Sequence, residues 1–125
     1  MDYLWVGIGG FLGANARFGL GRIVADRFGG GYPWSTFVVN LSGSFLIGIL
    51  LTVLIDRAVA NPLGRPFLVA GFLGGYTTFS SYTFEAVSLA MDGKWATAGL
   101  YVLGSNVLGL IACGAGIALA RQFAG

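Results

Sequence analysis

GFLGGYTTFSSYTFE, residues 71–85, lies inside an apolar run long enough to cross a bilayer. Its centre disfavours a helix, because the adjacent glycines Gly74-Gly75 cost about 1 kcal/mol each in a helix interior and the β-branched pair Thr77-Thr78 follows at once. Phe79 and Tyr82 would share one face if the helix resumed. Non-helical backbone at membrane depth survives only where it is buried in protein or lines a wet path. The stretch therefore predicts a broken helix and a functional site.

The composition is that of a membrane protein. The 125 residues are 56% apolar and only 10% charged, with a mean hydropathy of +0.81, whereas soluble domains carry about 25% charged residues. Cys113 is the single cysteine and histidine is absent, which excludes a disulfide framework, a Cys/His metal site and a histidine proton relay. A net charge of +2 is too small to indicate a nucleic-acid partner.

Four apolar segments are each close to the length of about 20 residues that a membrane span requires. Polar or Gly/Pro-containing stretches separate them, and Trp5, Trp34 and Trp95 all fall near segment ends, as in an interfacial aromatic belt. We expect a single all-α integral membrane domain, with four transmembrane helices over residues 3–24, 34–55, 67–91 and 95–119.

The basic residues predict no clear orientation. Four spans place both termini on one side of the membrane, and three basic residues lie on each side. This balance favours insertion in both orientations and an antiparallel dimer; the alternative is one orientation set by other signals. Four short helices can hardly enclose a protected polar path, so we expect an oligomer. The two basic sets are Arg57, Arg65 and Arg121 on one side, and Arg22, Arg27 and Lys94 on the other.

Arg17 and Glu85 are the charged residues that lie away from the ends of the predicted spans, which makes them functional candidates. Arg17 lies about two turns from its span end. It either snorkels to the headgroups or places a cation at the mouth of an anion path. Glu85 lies at a similar depth, and we expect it to have a structural role, as a cap or as a hydrogen-bonding partner of a neighbouring helix.

The other polar side chains within the spans are neutral hydrogen-bond donors. In the second span, Thr36, Asn40 and Ser44 follow one another at four-residue spacing. In the fourth span, Tyr101 and Ser105 are also four residues apart, and Asn106 follows Ser105. These groups either hold helices together or line a path. No ring of acidic or basic residues is present, so donors of this kind suit a small, strongly hydrated anion.

Aromatic ring edges are electropositive, and those of Phe79 and Tyr82 would favour the same small anion. The alternative for both rings is ordinary core packing, which is the usual role of aromatic residues at helical spacing. The neighbouring helix break favours the pore-lining interpretation.

Three motifs resemble those of the Fluc (CrcB) fluoride channels of microbes, and the resemblance extends over essentially the whole chain. Each alone is a loose small-residue pattern, but three in order on a four-span chain of this size are specific. They are GGFLGANARF at residues 9–18, VNLSGSF at 39–45 and GFLGGYTTFS at 71–80.

The resemblance implies a dual-topology antiparallel homodimer in the plasma membrane. Its two pores would export fluoride passively and so relieve fluoride toxicity. It also implies a third helix broken near the bilayer midplane, with a structural sodium ion at the dimer centre held by the backbone carbonyls of Gly74 and Thr77. The family's basic vestibule residue corresponds to Arg17. The pore positions that it implies are Asn40, Phe79, Ser80, Ser81, Tyr82, Tyr101 and Ser105.

Two positions depart from the family pattern. Tyr82 stands where relatives commonly carry phenylalanine, and its added hydroxyl either donates to fluoride or anchors the ring to another helix. Gly109 lies one repeat after Ser105, where some relatives have a hydroxyl, so the extent of the polar track on the fourth helix is open.

Two other functions remain as alternatives. A small four-helix proton-coupled multidrug or guanidinium exporter would share the size and balanced charge, but it needs a membrane-embedded carboxylate, for which Glu85 is the sole candidate. A non-transporting membrane scaffold would use the polar stripes for helix association alone. An enzyme is not expected, since the sequence shows no nucleophile–base pair or metal-ligand cluster.

Overall fold

The computed structural model describes the backbone of residues 2–56 and 64–124, and the side chains of 2–54 and 64–123. Within these ranges the chain is helical apart from short connections. We divide the third helical region into α3a (64–76) and α3b. Helix α3a is π-helical over Gly64–Leu73 and continues into the α-helical turn Gly74–Tyr76. The other helices are α1 (Asp2–Phe28), α2 (Trp34–Asp56), α3b (Phe79–Met91) and α4 (Trp95–Ala124).

The helix bounds differ from the expected spans mainly at their ends. Helix α1 continues past residue 24 to Phe28, and α4 continues past residue 119 to Ala124. Helix α3a begins at Gly64, and Pro66 lies in its first turn, where the missing N–H of proline breaks no intrahelical hydrogen bond. Residues 57–63, which include Arg57 and most of the predicted connector, lie outside the described residues.

Glycines allow neighbouring helices to pack closely. A Cβ on Gly13 in α1 would collide with the backbone carbonyl of Phe72 in α3a. A Cβ on Gly48 in α2 would likewise meet the carbonyl of Cys113 in α4. Such contacts allow two helix backbones to pack at short distance, which is typical of helices in lipid. This packing fixes the rotation of each helix and therefore which polar side chains meet.

The buried core lies beside the end of α3a. Val39, Leu73 and Tyr76 are buried against one another, and the rings of Phe72 and Tyr76 stack with their centroids 5.8 Å apart. Much of the remaining apolar surface is exposed, notably on α3b and α4. By length and hydropathy, the segments Trp34–Leu54 and Trp95–Phe123 each suffice to cross a membrane.

Candidate functional site

The helical backbone is interrupted between α3a and α3b at two residues. Thr77 has φ −84° and ψ 158°, and Thr78 has φ −147° and ψ 119°, both extended conformations. The Thr77 N–H and hydroxyl both donate to the Leu73 carbonyl, at 3.0 and 2.9 Å. Thr78 caps the next helix, because its Oγ1 accepts from the Ser81 N–H at 3.2 Å. The two threonines therefore end one helix and start the other.

Asn40 on α2 binds both backbone groups of Thr78. Its Nδ2 donates to the Thr78 carbonyl and its Oδ1 accepts from the Thr78 N–H, each at 2.9 Å. An asparagine side chain supplies the donor and the acceptor that a neighbouring helix turn would otherwise provide. Asn40 thus stabilises the extended backbone, and one hydrogen of its amide remains for another acceptor.

Arg17 is directed towards the helix break and not towards a headgroup. Its partly buried guanidinium donates from Nε to the Gly75 carbonyl at 3.2 Å. Carbonyls in the last turn of a helix carry partial negative charge, which favours a cation at that position. Arg17 therefore stabilises the end of α3a.

The carbonyls of Gly74 and Thr77 accept no hydrogen bond from any residue that the structure describes. Both residues line one cavity of about 360 Å³. Carbonyl oxygens at the unwound end of a half-helix are suitable ligands for sodium, so this pair fits a hard cation. The cavity is lined by Asn40, Gly43, Ser44, Ile47, Val69, Leu73, Gly74, Thr77, Thr78 and Phe79.

A second cavity, of about 260 Å³, shares the lining residue Thr78 with the first. Arg17 and Arg22 line it together with Ser81. None of its ten lining residues is acidic, although one of them, Thr36, donates to the Glu85 carboxylate. We call it the basic cavity.

Glu85 joins three helices. Its carboxylate accepts from the Thr36 hydroxyl of α2 at 3.1 Å and from the Tyr101 hydroxyl of α4 at 2.9 Å. The interhelical role expected of Glu85 is therefore seen in the structure. The Tyr101 side chain is fully buried, and its hydroxyl hydrogen is used by this carboxylate.

Tyr82 is anchored to α4 through its hydroxyl. The oxygen accepts from Asn106 Nδ2 at 2.8 Å and lies 3.5 Å from the Val102 carbonyl. The Tyr82 ring lies between two others, with centroids 5.8 Å from that of Phe79 and 5.2 Å from that of Tyr101. Phe79 itself is 75% exposed on this chain. The anchoring alternative for the Tyr82 hydroxyl is thus present in the geometry.

Tyr32 covers Tyr101 from the loop between α1 and α2. Gly29 and Gly31 adopt φ values of 70° and 99°, which side-chain-bearing residues rarely take, and so turn the loop back over the helices. The Tyr32 and Tyr101 rings meet edge to face at 5.4 Å. Burial, and to a lesser extent the Tyr82 phenol, raises the pKa of Tyr32 above its ordinary value, which keeps this hydroxyl protonated.

The serines of the predicted track lie in three settings. Ser80 is exposed and Ser81 lines the basic cavity. The Ser105 hydroxyl is buried without a hydrogen-bond partner among the described residues. Beside Gly109, the hydroxyl of Ser44 lies 3.7 Å from where a Cβ would stand, so α2 supplies a hydroxyl at the position where α4 has none.

Most of the predicted site residues therefore form three groups. Asn40, Gly74, Thr77 and Phe79 meet at the first cavity, while Arg17 and Ser81 line the basic cavity. Tyr82 and Tyr101 meet within the Thr36–Glu85 network. Sequence reasoning missed the link between Asn106 and Tyr82, since spacing along a helix does not reveal partners on another helix.

The comparisons with known proteins identify the family of the chain. Residues 4–117 match the model of the family described as CrcB-like protein, Camphor Resistance (CrcB). The chain belongs to the CrcB family. Its relatives in the family include proteins named fluoride-specific ion channel FluC. That of Chloroflexus aurantiacus is 44% identical over 99% of this chain and 98% of the relative. That of Thermus thermophilus is 47% identical over 86% of each chain.

Proposed function

We propose that this protein is a fluoride-selective ion channel, which lets fluoride leave the cell passively and so relieves its toxicity. The observation that carries the proposal is membership of the CrcB family, with relatives named as fluoride-specific channels over nearly the full length of the chain. A channel needs no chemical step, so no enzymatic activity is proposed. The membrane would be the plasma membrane, crossed several times by each chain.

The chemistry of the site supports an anion as the conducted species. Arg17 and Arg22 would concentrate anions in the basic cavity, which serves as the vestibule. The proposed path also contains hydroxyls and ring edges, which would replace the water of a small anion without holding it as tightly as a full charge would. Tyr101 would contribute its ring, because its hydroxyl hydrogen is bonded to Glu85. The buried Ser105 hydroxyl lacks a partner among the described residues, and a passing fluoride would supply an acceptor. The proposed pore residues are Asn40, Phe79, Ser80, Ser81, Tyr82, Tyr101 and Ser105.

Efflux from liposomes tests the function. Purified protein is reconstituted with internal potassium fluoride or potassium chloride, and release is followed with ion-selective electrodes after addition of a potassium ionophore. We expect rapid fluoride release and chloride release near the protein-free background. An absence of fluoride release, or equal release of both ions, would refute the proposal.

The assembly we propose is an antiparallel dual-topology homodimer, with the helix break near the bilayer midplane. Large apolar side chains on α3b and α4, including Phe84, Met91, Leu103 and Leu110, are 67–80% exposed on the single chain. Lipid or a second copy must cover this surface, and a second copy would also enclose the exposed Phe79 and Ser80.

Topology is tested by labelling a thiol near the N-terminus. In a Cys113→Ala background, Asp2→Cys is expected to react with a membrane-impermeant maleimide from both faces of the cell membrane, in about equal amounts. Labelling from one face alone would show a single orientation and contradict the antiparallel arrangement.

We further propose a structural sodium ion at the dimer centre, held by the Gly74 and Thr77 carbonyls of both subunits. Two carbonyls from one chain leave most of the coordination shell of a hard cation open, and a second copy would raise the number of carbonyl ligands to four. The ion would screen the carbonyl ends of the two half-helices from one another.

Exchange of sodium is the test of this site. Prolonged dialysis against N-methylglucamine is expected to lower the thermal stability of the dimer in detergent, and readdition of sodium, but not of N-methylglucamine, to restore it. The same melting temperature with and without sodium, in protein shown by elemental analysis to be sodium-free, would contradict the site.

The exporter alternative receives less support. Proton coupling requires a carboxylate that a substrate can reach, and both oxygens of Glu85 already accept hydroxyl hydrogens from neighbouring helices. The scaffold alternative leaves the two cavities and the unpaired carbonyls at the helix break without a purpose.

A further inference from the structure

The side-chain amide of Asn106 on α4 contacts Tyr82, which is one of the proposed pore residues. Its Nδ2 donates one hydrogen to the Tyr82 oxygen and the other to the Val102 carbonyl, both at 2.8 Å. With both hydrogens used in this way, Asn106 has no donor left for an anion. Its side chain is nevertheless exposed on the single chain, well inside the long helix α4. An amide at this depth is costly in lipid unless it has a specific partner.

The Tyr82 hydroxyl is only partly satisfied by these contacts. Its oxygen accepts a short hydrogen bond. Among the residues that the structure describes, its own hydrogen has only the Val102 carbonyl as a partner, at 3.5 Å, beyond the usual 2.5–3.0 Å range for an O–H donor. Asn106 already donates to that same carbonyl at 2.8 Å. Donation into the tyrosine oxygen also polarises its O–H bond and makes it a better donor.

We propose that Asn106 is a positioning residue of the anion path, which holds the Tyr82 ring and leaves its hydroxyl hydrogen for the permeating anion. The inference rests on the proposed channel function and adds a residue to it. Tyr82 then acts as a hydrogen-bond donor as well as a ring edge. Asn106 acts only through Tyr82, so its contribution must disappear when the hydroxyl is absent.

A double-mutant cycle tests this dependence. Fluoride efflux per dimer is measured in liposomes for wild type, Tyr82→Phe, Asn106→Leu and the double variant. Loss of one net hydrogen bond of about 1 kcal/mol predicts about a fivefold slower efflux for each single variant. The double variant is expected to be about fivefold slower as well, whereas independent effects would multiply to about twenty-fivefold.

The remaining outcomes overturn the inference. Asn106→Leu at the wild-type rate would show that the amide does not act on the path. If Asn106→Leu slows efflux by the same factor whether residue 82 is tyrosine or phenylalanine, Asn106 has a purely structural role. A loss caused by misfolding would give this result. If the wild-type protein shows no fluoride efflux, the channel function is refuted and the inference falls with it. If the wild type conducts fluoride but the effects of Asn106→Leu and Tyr82→Phe simply multiply, the inference alone is refuted.

Discussion

Asn40→Asp is expected to abolish fluoride efflux, lowering it about a thousandfold. A carboxylate at this position still accepts from the Thr78 N–H but no longer donates to the Thr78 carbonyl, so two oxygens would face each other where a 2.9 Å hydrogen bond now lies. It also adds a negative charge to the wall of the first cavity. At about 4 Å and an effective dielectric constant of about 20, repulsion of an anion costs about 4 kcal/mol, which corresponds to that factor.

Asn40→Ala separates the charge from the loss of the hydrogen bonds. The alanine variant leaves both backbone groups of Thr78 without this partner, at a cost of about 1–3 kcal/mol for each unsatisfied group, but introduces no charge. We expect it to conduct more than Asn40→Asp and less than wild type. Both variants are first checked for dimer elution by size-exclusion chromatography. Efflux at the wild-type rate from Asn40→Asp would remove Asn40 from the anion path.

Phe79→Ile is the second substitution for which we expect near-complete loss of efflux. Isoleucine keeps a large apolar side chain but has no electropositive ring edge, so a dehydrating anion loses one favourable contact. If this contact replaces one hydrogen bond to a charged group, worth about 1.5–3 kcal/mol, efflux falls by about ten- to more than a hundredfold. The exposure of Phe79 on the single chain means that the substitution leaves little void in the subunit core.

Phe84→Ile is the matched control. Phe84 lies on the same helix, is 74% exposed against 75% for Phe79, and is not among the proposed pore residues. Both substitutions therefore remove the same ring from similarly exposed positions of α3b. We expect efflux close to wild type from Phe84→Ile. Equal losses in the two variants would point to a general effect on assembly and would contradict a pore role for Phe79.

Local sequence explains the helix ends at the candidate site. Extended backbone at Thr77 and Thr78 ends α3a at Tyr76, and the side chain of Thr78 accounts for the start of α3b at Phe79. Gly74 and Gly75 were expected to belong to the break, but they lie in the α-helical turn Gly74–Tyr76. The third helix was expected to begin at residue 67, because Pro66 is a helix-breaking residue. It begins three residues earlier, at Gly64. A proline in the first helical turn is compatible with a helix, so its presence alone does not mark a boundary.

The roles of individual side chains were harder to predict from the sequence than the helix ends. Arg17 had two open roles, and only the position of Gly75 shows that its guanidinium binds the end of α3a. Asn40 was expected to face an anion, yet most of its hydrogen-bonding capacity is directed to the backbone of Thr78. The two roles are compatible, because one amide hydrogen remains.

By itself, the sequence predicted an all-helical membrane protein with a break in the third helix between Gly74 and Thr78, and it predicted neutral donors as ligands of a small anion. Hydropathy and backbone propensity act over neighbouring residues, so they can be read along the chain. Only the tertiary structure decided that Asn40 binds Thr78, that Glu85 joins Thr36 to Tyr101, and that Asn106 holds Tyr82. The paired residues are 16 to 49 positions apart in the sequence. Their contact depends on the rotation and register of whole helices, which the close glycine contacts set.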